Sequence, residues 1–350
     1  MMTPKVGFSL GYLSGLKNAR GVLDYVVNKG ITNCRVYQPF VKGFDDDTDK
    51  IADRIEWLIK QVGFTEVLVS LSGCPHSWLQ HHDLSGLTKT QFRASRYANR
   101  FAPYDYDIYE ALITDLMTAL ISRGIYDKII WEIGNEPNAS RYFWGSLQEW
   151  DELADYVAGT LWPQPNPHWL CGFSSSLMRD ATYKARMSWK DWIEMSSLYT
   201  HAGAGFSHSF YWQDSGGLFD VNDNSYPTRQ FSDIIVSEYN VATSLPIGSV
   251  NEKMFNSPAY VTALFKFLKF MKGKPCSRIY LHTLVDYNRD SQGTMGLWKS
   301  KKHGYAPKEA SKQFMKAWAV MDRGYEVQND RIAGINQSIV FDENGNWEII

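Results

Sequence analysis

The sequence predicts an α/β protein: a (β/α)8 TIM barrel with a short C-terminal β appendage. Three observations carry that prediction. Eight short apolar runs are spread over 350 residues, helical patterns lie between most of them, and two glutamates end apolar runs at a spacing of whole strand–helix units. Strands that alternate with helices imply parallel βαβ units. Eight such units over about 320 residues suit a barrel, which needs about 250 plus insertions.

The runs fall at 5–10, 31–37, 66–71, 128–133, 169–174, 197–201, 233–239 and 278–285. Between them, 51–62 (IADRIEWLIKQV) and 108–122 (IYEALITDLMTALIS) place apolar residues at three- and four-residue steps, the period of a helix with one buried face. Residues 260–272 (YVTALFKFLKFMK) carry Lys266, Lys269 and Lys272, which reads as an outer helix with a snorkelling lysine edge. Two stretches read as insertions at carboxyl ends of strands: 75–103 after the third, and the Gly-, Ser-, Asn- and Asp-rich 203–227 after the sixth. Near the end, 338–341 and 347–350 flank Asp-Glu-Asn-Gly-Asn, a hairpin signal. The expected division is a catalytic barrel over 1–322 and a β-hairpin appendage over 323–350, packed on the barrel and too short to fold alone.

Composition narrows the function. With 36 basic and 38 acidic side chains the net charge is −2, which excludes the basic footprint of a nucleic-acid binder and gives no attraction to an anionic membrane. No run approaches the roughly 18 apolar residues of a membrane span. The N-terminal MMTPKVGFSLGYL lacks a basic region followed by an apolar stretch, so no signal peptide is expected. The expectation is a soluble chain, its location open between cytoplasm, phage and non-classical export. Cys34, Cys74, Cys171 and Cys276 are far apart in sequence and read as buried free thiols. Aromatic residues make up 15% of the chain, and rings with apolar faces suit sugars as well as a large core.

Asp45, Asp47, Asp49 and Glu56 mimic a calcium loop, but Lys50 stands where that loop needs glycine, so they read as an acidic helix start. His76, His81 and His82 have no acidic or cysteine partner at ligand spacing, and no Gly-rich phosphate loop follows the first strand. Neither metal nor cofactor is expected.

The fourth run ends in WEIGNEPN (131–138), and Pro137 cannot continue a central ladder. Asn135 and Glu136 therefore sit where the strand opens. The seventh run, IIVSEYN (234–240), carries Glu238 at its carboxyl end. The interval 238 − 136 is 102 residues, three units of about 34, which assigns the glutamates to strands four and seven. A barrel mouth brings two such side chains toward one cavity. Carboxyl groups about 5–5.5 Å apart are the geometry of retaining glycoside hydrolysis, one kept protonated as acid and the other ionised as nucleophile.

WEIGNEPN together with SEYN resembles clan A of the glycoside hydrolases. Family 39 is nearest in wording, and family 79 shares Gly-Asn-Glu-Pro-Asn. The resemblance implies that Glu136 is the acid/base, Glu238 the nucleophile, and Asn135 a hydrogen-bond partner of the sugar 2-hydroxyl. NCRVY (33–37) resembles the second strand of the clan, whose arginine steadies the nucleophile, making Arg35 a candidate. PHSW (75–78) resembles a Pro-x-x-Trp after strand three, which implies a substrate contact for Trp78. YTH (199–201) places His201 at the site histidine that ends strand six, and GYAPKEA (304–310) resembles the link into the last helix.

Two positions depart from the clan. Gly203 stands where a tyrosine commonly follows the strand-six histidine, so Tyr211 or Tyr239 is expected to contact Glu238 instead. LHTLVDY (281–287) lacks the tryptophan of strand eight, and Trp298 follows on the same loop as a substitute. Trp144 and Trp212 are further rings in predicted loops. No accessory β-sandwich like that of family 39 xylosidases is expected within these residues. The expected function is a retaining glycoside hydrolase that cleaves an oligo- or polysaccharide by double displacement, the long loops favouring a polymer. Transglycosylation would use the same residues. The alternative, motivated by the two departures, is a catalytically silent carbohydrate-binding barrel used for attachment or assembly.

Overall fold

Runs of Val, Ile and Leu bury both faces when helices cover one side of a parallel sheet and side-chain layers fill the other. In the computed structural model these runs become β1 (Lys5–Gly11), β2 (Asn33–Tyr37), β3 (Glu66–Leu71), β4 (Ile129–Ile133), β5 (His168–Ser174), β6 (Gly205–Trp212), β7 (Ile234–Val241) and β8 (Cys276–His282). Strand order follows chain order in a closed barrel, and a separate four-stranded sheet comes after it. The structure describes residues 3–37, 39–40, 44, 46–83, 85, 101–137, 143, 145–161, 168–174, 205–212, 233–241, 259–286 and 296–350. They divide into two compact units, 11–16 with 33–209, and 1–10 with 17–32 and 210–350.

In the first unit β2 to β5 pair in parallel, with Val36 opposite Val69, Val69 opposite Trp131 and Trp131 opposite His168. β5 pairs with β6 from Trp169 opposite Gly205 onward. The sixth strand is thus Gly205–Trp212 and corrects the expectation of a strand at 197–201 followed by an insertion from 203. Its Gly and Ser content reads as loop, yet small and larger residues alternate with the period of two that a strand requires. The run at 197–201 lies outside the described residues.

Three helices of this unit start where side-chain oxygens satisfy their first N–H groups. Asp47 accepts the Lys50 N–H at 2.9 Å and caps α2 (Thr48–Glu56). Asp49 of that helix pairs with Arg123 at 3.0 Å, as does Asp53 at 2.7 Å, so Asp47 and Asp49 of the calcium-like acids cap and pack the helix, and Asp45 lies outside the described residues. Asp105 accepts from Asp107 and Ile108 at 3.0 and 3.2 Å and caps α3 (Tyr106–Ser122). Ser146 and Glu149 exchange hydrogen bonds reciprocally ahead of α4 (Leu147–Leu161).

In the second unit β1 runs parallel to β8 with Phe8 opposite Leu281, and β7 runs parallel to β8. Helices α1 (Arg20–Asn28), α5 (Ala259–Met271) and α6 (Glu309–Met321) belong to this unit. The Trp318 indole N–H donates to the Lys29 carbonyl at 2.7 Å and ties α6 to the end of α1. The C-terminal sheet holds β9 (Glu326–Val327), β10 (Arg331–Ala333), β11 (Ser338–Phe341) and β12 (Trp347–Ile349), ordered β12-β11-β10-β9. The hairpin signal corresponds to β11 and β12, while β9 and β10 are too short to show a pattern in sequence. Phe341 stacks on Phe265 of α5 at 3.9 Å, and the Thr262 hydroxyl donates to the Gly345 carbonyl at 2.6 Å. Lys269 donates to the Asn329 carbonyl at 2.8 Å, so part of the lysine edge on α5 meets this sheet.

Cys34, Cys74 and Cys276 are buried free thiols, and the Cys171 side chain lies outside the described residues. Burial pushes the Cys276 thiol up to about 12; Cys34 also rises, through burial and the nearby Glu66 charge. Among the described residues, no helix is long and apolar enough to cross a membrane. Asp105→Ala is expected to cost about 1 kcal/mol by removing the α3 cap, seen as a lower urea midpoint with an unchanged slope.

Candidate active site

The chain leaves β4 through a turn that only particular residues allow. Gly134 has φ +83°, and a Cβ there would lie 1.9 Å from the Trp150 ring of α4. The Gly134 N–H donates to the Leu71 carbonyl at 2.6 Å, and the Ser70 hydroxyl donates to the Gly134 carbonyl at 2.7 Å, so the end of β3 grips the turn. Glu136 follows at φ 45°, a left-handed conformation that costs a non-glycine residue about 1–2 kcal/mol. Strain of this kind collects at functional sites when the surroundings enforce it. Both Asn135 and Glu136 are buried.

Behind the turn lies a buried polar cluster. Arg35 on β2 and Glu132 on β4 have no exposed side-chain surface and form an ion pair at 2.7 Å. The Arg35 Nε also donates to Glu132 at 2.8 Å, and the Ser207 hydroxyl on β6 donates to the other carboxylate oxygen at 2.8 Å. Three alternate strands thus contribute one group each, the way side chains fill a layer inside a barrel. Arg35 Nη2 reaches Asn135 Oδ1 at 2.7 Å, and its guanidinium lies 5.6 Å from the centre of the Tyr37 ring. A guanidinium only donates, which fixes the oxygen of the Asn135 amide toward it. The Asn135 amide nitrogen is then left buried with no acceptor among the described residues. An unpaired buried donor costs about 1–3 kcal/mol, so the position favours an acceptor brought by a ligand.

In the other unit, Glu238 on β7 is buried and its Oε2 lies 3.7 Å from His282 Nδ1 at the end of β8. The Asn240 amide donates to the His282 backbone carbonyl, and the Thr283 hydroxyl donates to the Ser9 carbonyl at 3.0 Å.

The remaining sequence candidates divide clearly. Tyr239 is buried and stacks on Phe267 of α5 at 4.3 Å, on the side of the strand that meets this helix. Trp298 is 4% exposed, with its ring packed edge-on to Phe8 of β1 at 6.3 Å and to Tyr25 of α1 at 6.0 Å. Trp78 is buried, edge-on to Tyr104 and Tyr109. His201 and Trp144 lie outside the described residues, and β6 carries a histidine of its own, His208. Sequence reasoning missed Glu132, Ser207 and His282. Glu132 stands inside WEIGNEPN, two positions before Gly134, and its parity with Glu136 was the available signal. His282 lies within LHTLVDY, the segment already marked by its missing tryptophan.

No protein-family profile and no curated protein sequence matches the chain. Solved structures do share its fold. A glycoside hydrolase family 30 subfamily 8 xylanase from Clostridium acetobutylicum has a TM-score of 0.54 at 13% identity, covering 97% of this chain and 80% of its own. A GH5 cellulase from an Icelandic hot spring isolate has a TM-score of 0.52 at 12% identity, covering 89% and 88%. A family 1 β-glucosidase from Thermotoga maritima has a TM-score of 0.52 at 9% identity, covering 90% and 88%. The fold is therefore a (β/α)8 barrel of the kind these glycoside hydrolases use.

Gly134→Ala is expected to destabilise the protein by about 2–4 kcal/mol, through overpacking and left-handed strain together. Trp150→Leu in the same chain should return part of the loss by clearing the space, leaving the backbone strain. Thermal melts of the single and double variants check both statements.

Proposed function

We propose that the chain is a retaining glycoside hydrolase of clan A, nearest in motif to family 39, acting on an oligo- or polysaccharide. The observation that carries this reading is two buried carboxyl groups on the carboxyl side of their strands, Glu136 in the turn beyond β4 and Glu238 in the second half of β7. The fold shared with a xylanase, a cellulase and a β-glucosidase supports it. Residues 1–322 form the catalytic body and 323–350 an appendage.

The chemistry runs in two displacements. The Glu238 carboxylate attacks the anomeric carbon while Glu136 gives its proton to the departing glycosidic oxygen. Glu136, now a carboxylate, removes a proton from water, which attacks the same carbon and expels Glu238. The sugar leaves with its configuration retained, and both carboxyl groups return to their starting states. The Asn135 amide supplies a donor to the sugar hydroxyl beside the reacting carbon, a bond that strengthens in the transition state. The imidazole of His282 stands against the nucleophile Oε2 at 3.7 Å.

Reducing-end release from a panel of β-linked glycans and bacterial exopolysaccharides tests the reading. Glu238→Gln should lose activity by at least about 10³-fold, the scale of a removed nucleophile. Glu136→Gln should lose about 10²–10⁴-fold on natural glycans, yet far less on glycosyl fluorides, whose leaving group needs little protonation. Equal losses on both substrate types would contradict the acid role. Glycan binding without turnover anywhere on the panel would point to an attachment barrel instead.

A further inference from the structure

We propose that Glu132 is a positioning residue, which touches no substrate but decides which end of the Asn135 amide meets the sugar. The site thereby selects a ring substituent that accepts a hydrogen bond, a hydroxyl oxygen over an ammonium. The inference rests on the glycosidase reading above for the identity of the ligand, and on geometry for the rest.

The chain of contacts is short. Glu132 holds Arg35 through two guanidinium nitrogens, Nε at 2.8 Å and Nη2 at 2.7 Å. Ser207 holds the second Glu132 oxygen at 2.8 Å, which fixes the carboxylate plane. Nε and Nη2 converge on the single Glu132 oxygen Oε2, which holds the planar guanidinium in one orientation, and Nη2 also reaches Asn135 Oδ1, 2.7 Å away. An asparagine amide looks nearly the same turned over, but only its oxygen can answer a guanidinium. The amide NH2 is therefore presented on the other side, where it is buried and meets no acceptor among the described residues. On the glycosidase reading, that donor serves the hydroxyl on the sugar carbon next to the one that reacts. A hydroxyl there can accept. An ammonium can only donate, and it would face the amide N–H groups with no bond to make.

Had Glu132 served only to neutralise Arg35, losing its charge would depress every substrate alike. Positioning predicts a selective loss. The test measures kcat and KM for 4-nitrophenyl β-D-glucoside, β-D-galactoside and β-D-xyloside, each beside its 2-deoxy and 2-amino-2-deoxy counterpart. Wild type is expected to prefer the 2-hydroxy sugar over the 2-amino sugar by about 100-fold or more in kcat/KM. Glu132→Gln should lose about 10–100-fold on the 2-hydroxy sugar, mainly in kcat, and stay within about threefold on the 2-deoxy sugar. Combining it with Asn135→Ala should add little to either single loss. Equal losses on the 2-hydroxy and 2-deoxy sugars would overturn the proposal.

Ser207→Ala disturbs the same carboxylate without touching the ion pair, so it serves if Glu132→Gln fails to fold. It should shift selectivity in the same direction by a smaller factor. If wild type turns over none of these glycosides or the glycan panel, the glycosidase reading falls, while the positioning claim is still read by NMR. With 15N-asparagine labelling, the Asn135 side-chain NH2 pair is assigned by its disappearance in Asn135→Asp. Broadening or a shift of that pair in Ser207→Ala or Glu132→Gln is the expected result. An unchanged pair in both variants would overturn the claim.

Discussion

A guanidinium sealed from water needs every donor answered, and Arg35 has no exposed side-chain surface at all. Such a charge is expensive to bury, and a buried ion pair is a poor source of stability even when well made. Its value here lies in order. Arg35, Glu132 and Ser207 come from β2, β4 and β6, so one polar layer ties three alternate strands to a single arrangement. Asn135, on the turn beyond β4, is held by the same guanidinium. A layer of Val and Ile at this height would pack well but would leave the asparagine amide free to turn over.

The turn after β4 carries the next constraint. Gly134 leaves no room for a side chain against Trp150, and Glu136 sits at φ 45°, so the backbone is held where few sequences would place it. The hydrogen bonds from Ser70 and to Leu71 fasten it to β3. Together with the Arg35–Asn135 bond, these contacts fix the backbone from which Glu136 projects. The proposed role of Glu136 as proton donor depends on such a backbone, because small misplacements at the reacting atoms cost rate steeply.

The fold was legible because it depends on periodicity. Apolar runs separated by helical patterns gave seven of the eight barrel strands near their observed positions, and Pro137 marked the end of the fourth. β6 was misplaced because its Gly and Ser residues resemble loop composition. The two glutamates stood out for a different reason: an acid in an apolar run has few structural uses. The packing of the aromatic candidates was harder to read, since it depends on direction and on partners distant in the chain. Tyr239 could have been assigned to the helix side from its parity with Glu238. Trp298 could not, because its packing needs Phe8 and Tyr25 from the other end of the sequence. Glu132 stood beside the legible motif, but its partner Ser207 comes from the strand that composition concealed.

The most direct measurement is mass spectrometry of the protein after incubation with 2-deoxy-2-fluoroglycosyl fluorides of glucose, galactose and xylose. These reagents form the glycosyl-enzyme quickly and release it slowly. The account predicts a single added fluorosugar on the peptide that contains Glu238, absent in Glu238→Gln. An adduct on any other residue, or none in an enzyme that turns over the parent sugar, would contradict it.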